Sequence, residues 1–324
     1  MYLPERVVTN ADLEAIKELD TSDEWIQQRS GIKARRYVSD GESGVDLAVH
    51  ACKQAVEKAG LTMDDIDFII YATLSPDYTF PGNGCFLQER LFGDRTIGAL
   101  DVRNQCSGFI YGLVAADSFI KTGLYNHVLL VGTEVHSTGL DFTRNGRDVT
   151  VLFGDGAGAV VVGPAPEGHP GIMASALHSE GKHARELWLE APASAQNPRI
   201  SHEVLDQGRQ YPKMNGRVVF KHAVTRMVEV SHEVLAKAKR TTADVALFLP
   251  HQANLRINQM VASHLGIPEE KMVNTIDWTG NTTAATIPIC MCEAVKQGRL
   301  KANDLVLLTA FGSGFTWAAT LLVW

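Results

Sequence analysis

Apolar, β-branched runs alternate with helical patterns along almost the whole chain, and that alternation constrains its fold more than any other feature. The runs are DFIIYAT (67–73), VLLVGTE (128–134), GAVVVG (158–163), VALFLPH (245–251), DLVLLTAFG (304–312) and FTWAATLLVW (315–324). Short and continuous, they have the character of strands covered on both faces. Helical patterns lie between them at 44–60, 107–123, 217–238, 254–266 and 283–298, and several stop at glycine. Strands apolar on both sides need helices on both sides, so a layered α/β fold is expected. Each half carries a long helix, an apolar strand and a reactive-looking residue at a strand–helix junction, Cys106 in the first and His251 in the second. The stretch PAPEGHPG (164–171) is the expected hinge between halves 1–165 and 166–324. The polar segment 180–216 is expected to form a long surface loop, often functional at that length.

Composition narrows the function. A net charge of −7 on 324 residues argues against general nucleic-acid binding, while leaving room for a local basic patch. No apolar stretch approaches the eighteen or so residues of a membrane span, and no signal-peptide pattern opens the chain. Five cysteines, scattered singly apart from Cys290 and Cys292, are not a disulfide framework, so a reducing cytoplasm is expected.

Three short stretches carry candidate chemistry. In DVRNQCSGFIYG, Cys106 stands where a helical pattern begins. Helix-starting N–H groups favour a thiolate, so the position predicts a thiol pKa below the ordinary value of about 8.5. A buried structural thiol is the competing explanation. LPHQANLRI ends a strand with His251, and DWTGNTTAAT places Asn281 in a Gly-Asn turn before another helix. Alone, each has an ordinary explanation as a packed histidine or a turn residue. Together, a thiol with two polar partners makes a plausible nucleophilic site. GDGAGA (154–159) lacks the GxGxxG spacing and precedes a strand, so it is read as close backbone packing rather than a phosphate loop. The other ten histidines show no metal-ligand spacing and neither CxxC nor HExxH occurs, so no metal is expected.

Taken in order, YLPERVVTNADLE, TSDEWIQQRSGI, NQCSGF, FGDGAGAVV, HQANLRI, GNTTAATIP and FGSGFTW resemble the β-ketoacyl-acyl-carrier-protein synthase III family of the thiolase superfamily, over essentially the whole chain. The resemblance implies a five-layered αβαβα fold of two related halves, a homodimer, and a decarboxylating Claisen condensation without a cofactor. A cysteine takes an acyl group from coenzyme A, and malonyl-acyl-carrier protein then loses carbon dioxide and attacks that thioester. Carried over, Cys106 is the nucleophile, and His251 and Asn281 donate hydrogen bonds to the malonyl thioester oxygen. Such donors are worth about 2.7–4 kcal/mol each. The N–H groups of Cys106 and Ser313 would hold the acyl oxyanion. Trp25 would stack on the adenine of coenzyme A, with Arg29 near its phosphates and Arg147 on the adenine side. Phe80, Gly216, Phe220 and Asn254 match positions lining the pantetheine and acyl tunnel, and Phe311 matches an aromatic beside the cysteine. Lys221 and Arg256 match a basic face that docks the acidic carrier protein.

The chain departs from the family pattern at three places. It has Gly312-Ser313-Gly314 where many members have three glycines, which keeps the N–H of Ser313 but reduces its conformational freedom. Ser263-His264 replace lysines on the docking face, which predicts weaker or rearranged carrier recognition. A short strand usually precedes YLPE, and its absence here is expected to weaken folding. Two other functions fit the same motifs: a specialised condensing enzyme of the quinolone or polyketide-starter type using another acceptor, and a non-catalytic partner subunit of the same fold, which the retained Cys–His–Asn set disfavours.

Overall fold

The computed structural model describes all residues from Met1 to Trp324. At the N-terminus, β1 (Arg6–Thr9) pairs antiparallel with β2 (Ala34–Tyr37), and α1 (Asn10–Glu14) and α2 (Asp23–Ser30) lie between them in sequence. There follow α3 (Gly44–Lys58), β3 (Phe68–Ala72), α4 (Asn83–Phe92), β4 (Gly98–Val102), α5 (Gly108–Lys121), β5 (Val128–Glu134), α6 (Arg147–Thr150) and β6 (Gly156–Val162). Their strands form one sheet in the order β4-β3-β5-β6, parallel except for β6. The rest of the chain supplies β7 (Ile172–Ser179), β8 (Leu187–Trp188), α7 (His202–Asp206), β9 (Lys213–Met214), α8 (Gly216–Lys237) and β10 (Leu247–Pro250). It ends with α9 (Leu255–Leu265), α10 (Ile276–Thr279), α11 (Thr286–Lys296), β11 (Leu305–Gly312) and β12 (Thr316–Val323). The second sheet runs β10-β11-β12-β7, with only β10 and β11 parallel.

The strand period of two assigns the layers. On β3, Ile69 and Tyr71 join the core beneath α3 and α4, while Ile70 joins α5 and α11 on the other face. On β11, Leu307 packs against α8 and α9, while Val306 and Leu308 face α5 and α11. Two sheets therefore sandwich α5 and α11, and helices cover both outer faces, giving the five-layered αβαβα arrangement. The site chemistry sits at the ends of this middle layer, where both sheets deliver chain.

Elements absent from the sequence reading are those whose pattern is weakest. Strand β4 lies at a sheet edge, and its first four residues are exposed, so it carries no apolar run. Strand β7 mixes polar and apolar residues, with only one of its eight buried. Segment 180–216 is not a plain loop: β8 and β9 pair across it, and Ser201 caps the short helix α7. Such pieces are too short for any periodicity to register. Residues 164–171 join β6 of the first sheet to β7 of the second. Tyr2 makes a two-bond bridge to Ala157 on β6, each N–H donating over 2.8 Å. The GDGAGA glycines do mark close packing: a Cβ on Gly154 would lie 2.3 Å from the Thr279 carbonyl oxygen, and one on Gly158 2.8 Å from Pro288.

Candidate active site

Cys106 occupies a 3-10 turn, Gln105–Ser107, that runs directly into α5. The turn is strained, since Gln105 before the cysteine has φ 45°. The end of β11 closes over it: a Cβ on Gly312 would fall 2.9 Å from the Cys106 Cβ and 3.0 Å from its nitrogen, so only glycine admits this approach. Ser107 ties the turn to β12 through a 2.8 Å hydroxyl pair with Thr316. The thiol itself is nearly buried, at 7% exposure.

That burial overturns the expected low thiol pKa. Desolvation first, and then the nearby Glu134 carboxyl, push the Cys106 thiol up to about 12. The N–H groups of Cys106 and Ser313 and the Thr283 hydroxyl pull the other way without prevailing. A helix start is worth roughly 0.3–1 kcal/mol to an anion at an accessible site, less than the cost of stripping water from a thiolate. Ser313 itself is not in the left-handed region, which falls to Gly314 at φ 135°, so replacing the middle glycine costs the loop no strain at that residue. The Ser313 hydroxyl donates to the Leu187 carbonyl, anchoring the loop to β8.

His251 follows β10 and is 2% exposed. Its Nδ1 lies 2.7 Å from Thr286 Oγ1, and its Nε2 is buried with no partner. Burial pushes the imidazole down to about 3, so it is neutral near pH 7. Asn281 sits between α10 and α11, with its backbone bridged to Leu152 and Gly154. Its Oδ1 accepts from the Thr283 N–H at 2.8 Å, which aims the amide and leaves Nδ2 as a free donor. Cys106, His251 and Asn281 line one cavity of about 790 Å³, together with Phe311 and Gly312. Pockets of that size hold small-molecule ligands.

The mouth of the cavity is charged. Trp25 and Arg29 line it, and Arg29 and Arg147 place their guanidinium carbons 4.5 Å and 4.6 Å from the Trp25 ring centroid. Arg147 also donates to the Asp20 carbonyl at 2.7 Å. Gly216, Phe220, Asn254 and Arg256 line the same cavity. Asn254 caps α9 and reaches across to α2, its Nδ2 donating to the Arg29 carbonyl at 2.8 Å. Lys221 is exposed next to Phe220 on α8. Phe80 stands 78% exposed in the loop before α4, outside the wall around Cys106 that this one chain forms.

Several residues of the site went unread in the sequence. Glu134 ends β5 fully buried, accepts hydrogen bonds from Thr73, Leu74, Ser75 and Ala284, and is lifted to about 7 by burial. His136 holds Thr283 through a 2.7 Å bond. Leu187 and Met214, from the segment expected to be a loop, line the cavity. Glu134 left one signal, a lone carboxylate closing an otherwise apolar strand.

Two family models match the chain: 3-oxoacyl-[acyl-carrier-protein (ACP)] synthase III over residues 100–181, and its C-terminal region over residues 235–324. The β-ketoacyl-[acyl-carrier-protein] synthase III of Roseiflexus sp. strain RS-1 is 44% identical over 324 residues, covering all of this chain and 96% of the relative. The crystal structure of 3-oxoacyl-[acyl-carrier-protein] synthase III from Aquifex aeolicus superposes with a TM-score of 0.90 at 43% identity, over 100% of this chain and 97% of that one. The priming β-ketosynthase of the R1128 polyketide pathway matches with a TM-score of 0.91 but 32% identity, over 99% and 93%.

Proposed function

We propose, starting from the fact that this chain belongs to the 3-oxoacyl-[acyl-carrier-protein] synthase III family, that Cys106, His251 and Asn281 are the groups through which it works. The protein is an acyltransferase that performs the condensing reaction initiating fatty acid synthesis. In our reading Cys106 attacks an acyl-coenzyme A thioester, and the N–H groups of Cys106 and Ser313 hold the oxyanion. Malonyl-acyl-carrier protein follows. Its thioester oxygen is received by Asn281 Nδ2 and His251 Nε2 as carbon dioxide leaves and the enolate forms. The observation that carries this is the convergence of all three side chains, from separate elements, on one cavity floor. Every group in these steps is supplied by the chain or its two thioesters, so no cofactor is invoked.

The donor would enter acyl end first, its nucleotide staying at the mouth. Trp25 offers a face for adenine between Arg29 and Arg147, which are placed to exchange their stacking on the indole for contacts to a phosphorylated purine. Arg256, exposed at the mouth over the Phe220 ring, and Lys221, exposed next to Phe220 on α8, would meet the acidic carrier protein. We take the working unit to be a cytoplasmic homodimer; the exposed edge strand β4 supports it, since an unpaired edge is a template for a second copy. No helix is long and apolar enough to cross a membrane. Residues 1–165 and 166–324 would be its two related halves. The test is intact-mass analysis after incubation with acyl-coenzyme A donors. One acyl mass should appear on the wild type and none on Cys106→Ala, and an adduct persisting on that variant would refute the assignment.

A further inference from the structure

We infer that Thr286 is a positioning residue that fixes His251 with its proton on Nδ1, leaving the Nε2 lone pair facing Cys106 and Asn281, so that His251 must take up a proton in each half-reaction before it gives one. The inference rests on the reading of Cys106 as nucleophile. It follows from a count of hydrogens. Thr286 Oγ1 lies 2.9 Å from the Thr283 carbonyl oxygen and 2.7 Å from His251 Nδ1. A carbonyl has no proton to offer, and two oxygens at 2.9 Å without one between them repel. The single hydroxyl proton therefore points at Thr283, and the proton between Oγ1 and Nδ1 belongs to the imidazole. A neutral imidazole carries one N–H, so Nε2 holds a lone pair. That nitrogen is buried and has no partner in the protein, as expected of a group kept for substrate or nucleophile.

The two half-reactions then use His251 in opposite states. In acylation the Cys106 proton passes to Nε2 as sulfur bonds the acyl carbon. The bond to the coenzyme A sulfur breaks, and that thiolate takes the proton from Nε2, so none is gained or lost. In condensation a malonyl carboxylate leaves as carbon dioxide, its bonding pair becomes the enolate, and the enolate carbon bonds the acyl carbon. The bond to Cys106 breaks and sulfur keeps the pair. One solvent proton balances this step: taken up on Nε2, it hydrogen-bonds the enolate oxygen and then passes to the Cys106 sulfur. Neutral His251 can receive the first proton, and only protonated His251 can donate to the enolate. Burial alone is what holds His251 neutral in the free protein, and an arriving malonyl carboxylate is the charge that raises its proton affinity. The titratable groups near it are Cys106 on the facing turn, with Glu134 and His136 behind that turn. Arg29, Asp148, Arg217 and Arg256 lie further out on the same cavity.

The experiment pairs a spectrum with pH profiles. In ¹⁵N-histidine-labelled protein, the His251 signals are assigned by their loss in His251→Gln. At neutral pH Nδ1 should be of the protonated, pyrrole type and Nε2 of the unprotonated, pyridine type; the reverse overturns the inference, whether or not a Thr286 variant folds. Single-turnover acylation and carbon dioxide release are then followed between about pH 5 and 9. Burial holds the imidazole of the free protein down to about 3, so wild-type acylation should keep its His251 base across this window, while condensation should fall toward base. Thr286→Val keeps the shape but removes the acceptor, so acylation should drop about 10²-fold, the usual worth of a general base, and condensation should lose its basic limb. Thr286→Ser should restore both profiles. A Thr286→Val protein with wild-type profiles overturns the role. A wild type that forms no adduct on Cys106 removes the functional reading and this inference with it; an adduct alongside the opposite tautomer removes the inference alone.

Discussion

At the floor of the cavity Cys106, His251 and Asn281 are 7%, 2% and 5% exposed, whereas at its mouth Arg29, Arg217 and Arg256 stand exposed around a half-buried Trp25. The floor holds two side chains that are ordinarily ionisable near neutrality, and burial drives them apart: the thiol up to about 12, the imidazole down to about 3. Both are neutral at rest. The arginines stand at the mouth, where water screens them and side chains can rearrange, while behind the floor the buried Glu134 carboxyl, lifted to about 7, lies near the thiol. The comparison teaches that depth, not position at a helix start, sets protonation here. The floor is built for proton transfer inside fixed hydrogen bonds, and the mouth for attraction and stacking.

The largest effect expected from this contrast concerns the resting thiol. A thiol raised from its ordinary range to about 12 has a thiolate fraction near pH 8 on the order of 10³-fold smaller. Iodoacetamide at that pH should therefore modify exposed Cys85 long before Cys106, as read by peptide mapping. Cys106 labelling first would mean the floor is not the dry, neutral place described. At the mouth the effects are smaller. Trp25→Ala should raise the KM for acyl-coenzyme A in the acylation step about tenfold, from the loss of roughly 1–2 kcal/mol of stacking and cation–π contact. A short pantetheine thioester, which lacks the nucleotide, should acylate Cys106 at an unchanged rate. Equal losses with both donors would erase the division between floor and mouth. The smallest effect belongs to the exposed cations. Arg256→Ala or Lys221→Ala should raise the KM for malonyl-carrier protein a few-fold at low salt and flatten its dependence on ionic strength, since exposed charges are screened beyond about 10 Å at 0.1 M. An unaltered salt dependence would place carrier docking elsewhere.

The sequence revealed what periodicity and motif order can carry. The runs at 128–134 and 304–312 became β5 and β11, and the helical patterns became α3, α5, α8, α9 and α11. Cys106, His251 and Asn281 lie together because each closes or opens an element of the middle layer or the sheets beside it, which the strand–helix junctions already suggested. Other features were not legible for physical reasons. The edge strand β4 has no buried face to write a pattern. The thiol pKa depends on a burial that only assembled β11 and α5 create, with Gly312 laid against the turn. Thr286 reads as one more helix-start threonine until its hydroxyl is seen between His251 and Thr283. Phe80 stands in an exposed loop of this one chain, where no periodic pattern could place it against any wall.

Asn281→Ala offers the most direct test of the division of labour on that floor. Asn281 has no proton to trade and touches neither the thiol's protonation nor the mouth; it offers Nδ2 to the developing enolate, held in aim by Thr283. Removing it should slow carbon dioxide release from malonyl-carrier protein about 10²–10³-fold, the usual cost of one lost oxyanion donor. Single-turnover acylation of Cys106, followed by intact mass in the same preparation, should stay within a few-fold of wild type. If both steps slow alike, Asn281 is not an enolate donor and the separation of the two half-reactions proposed for this floor is wrong.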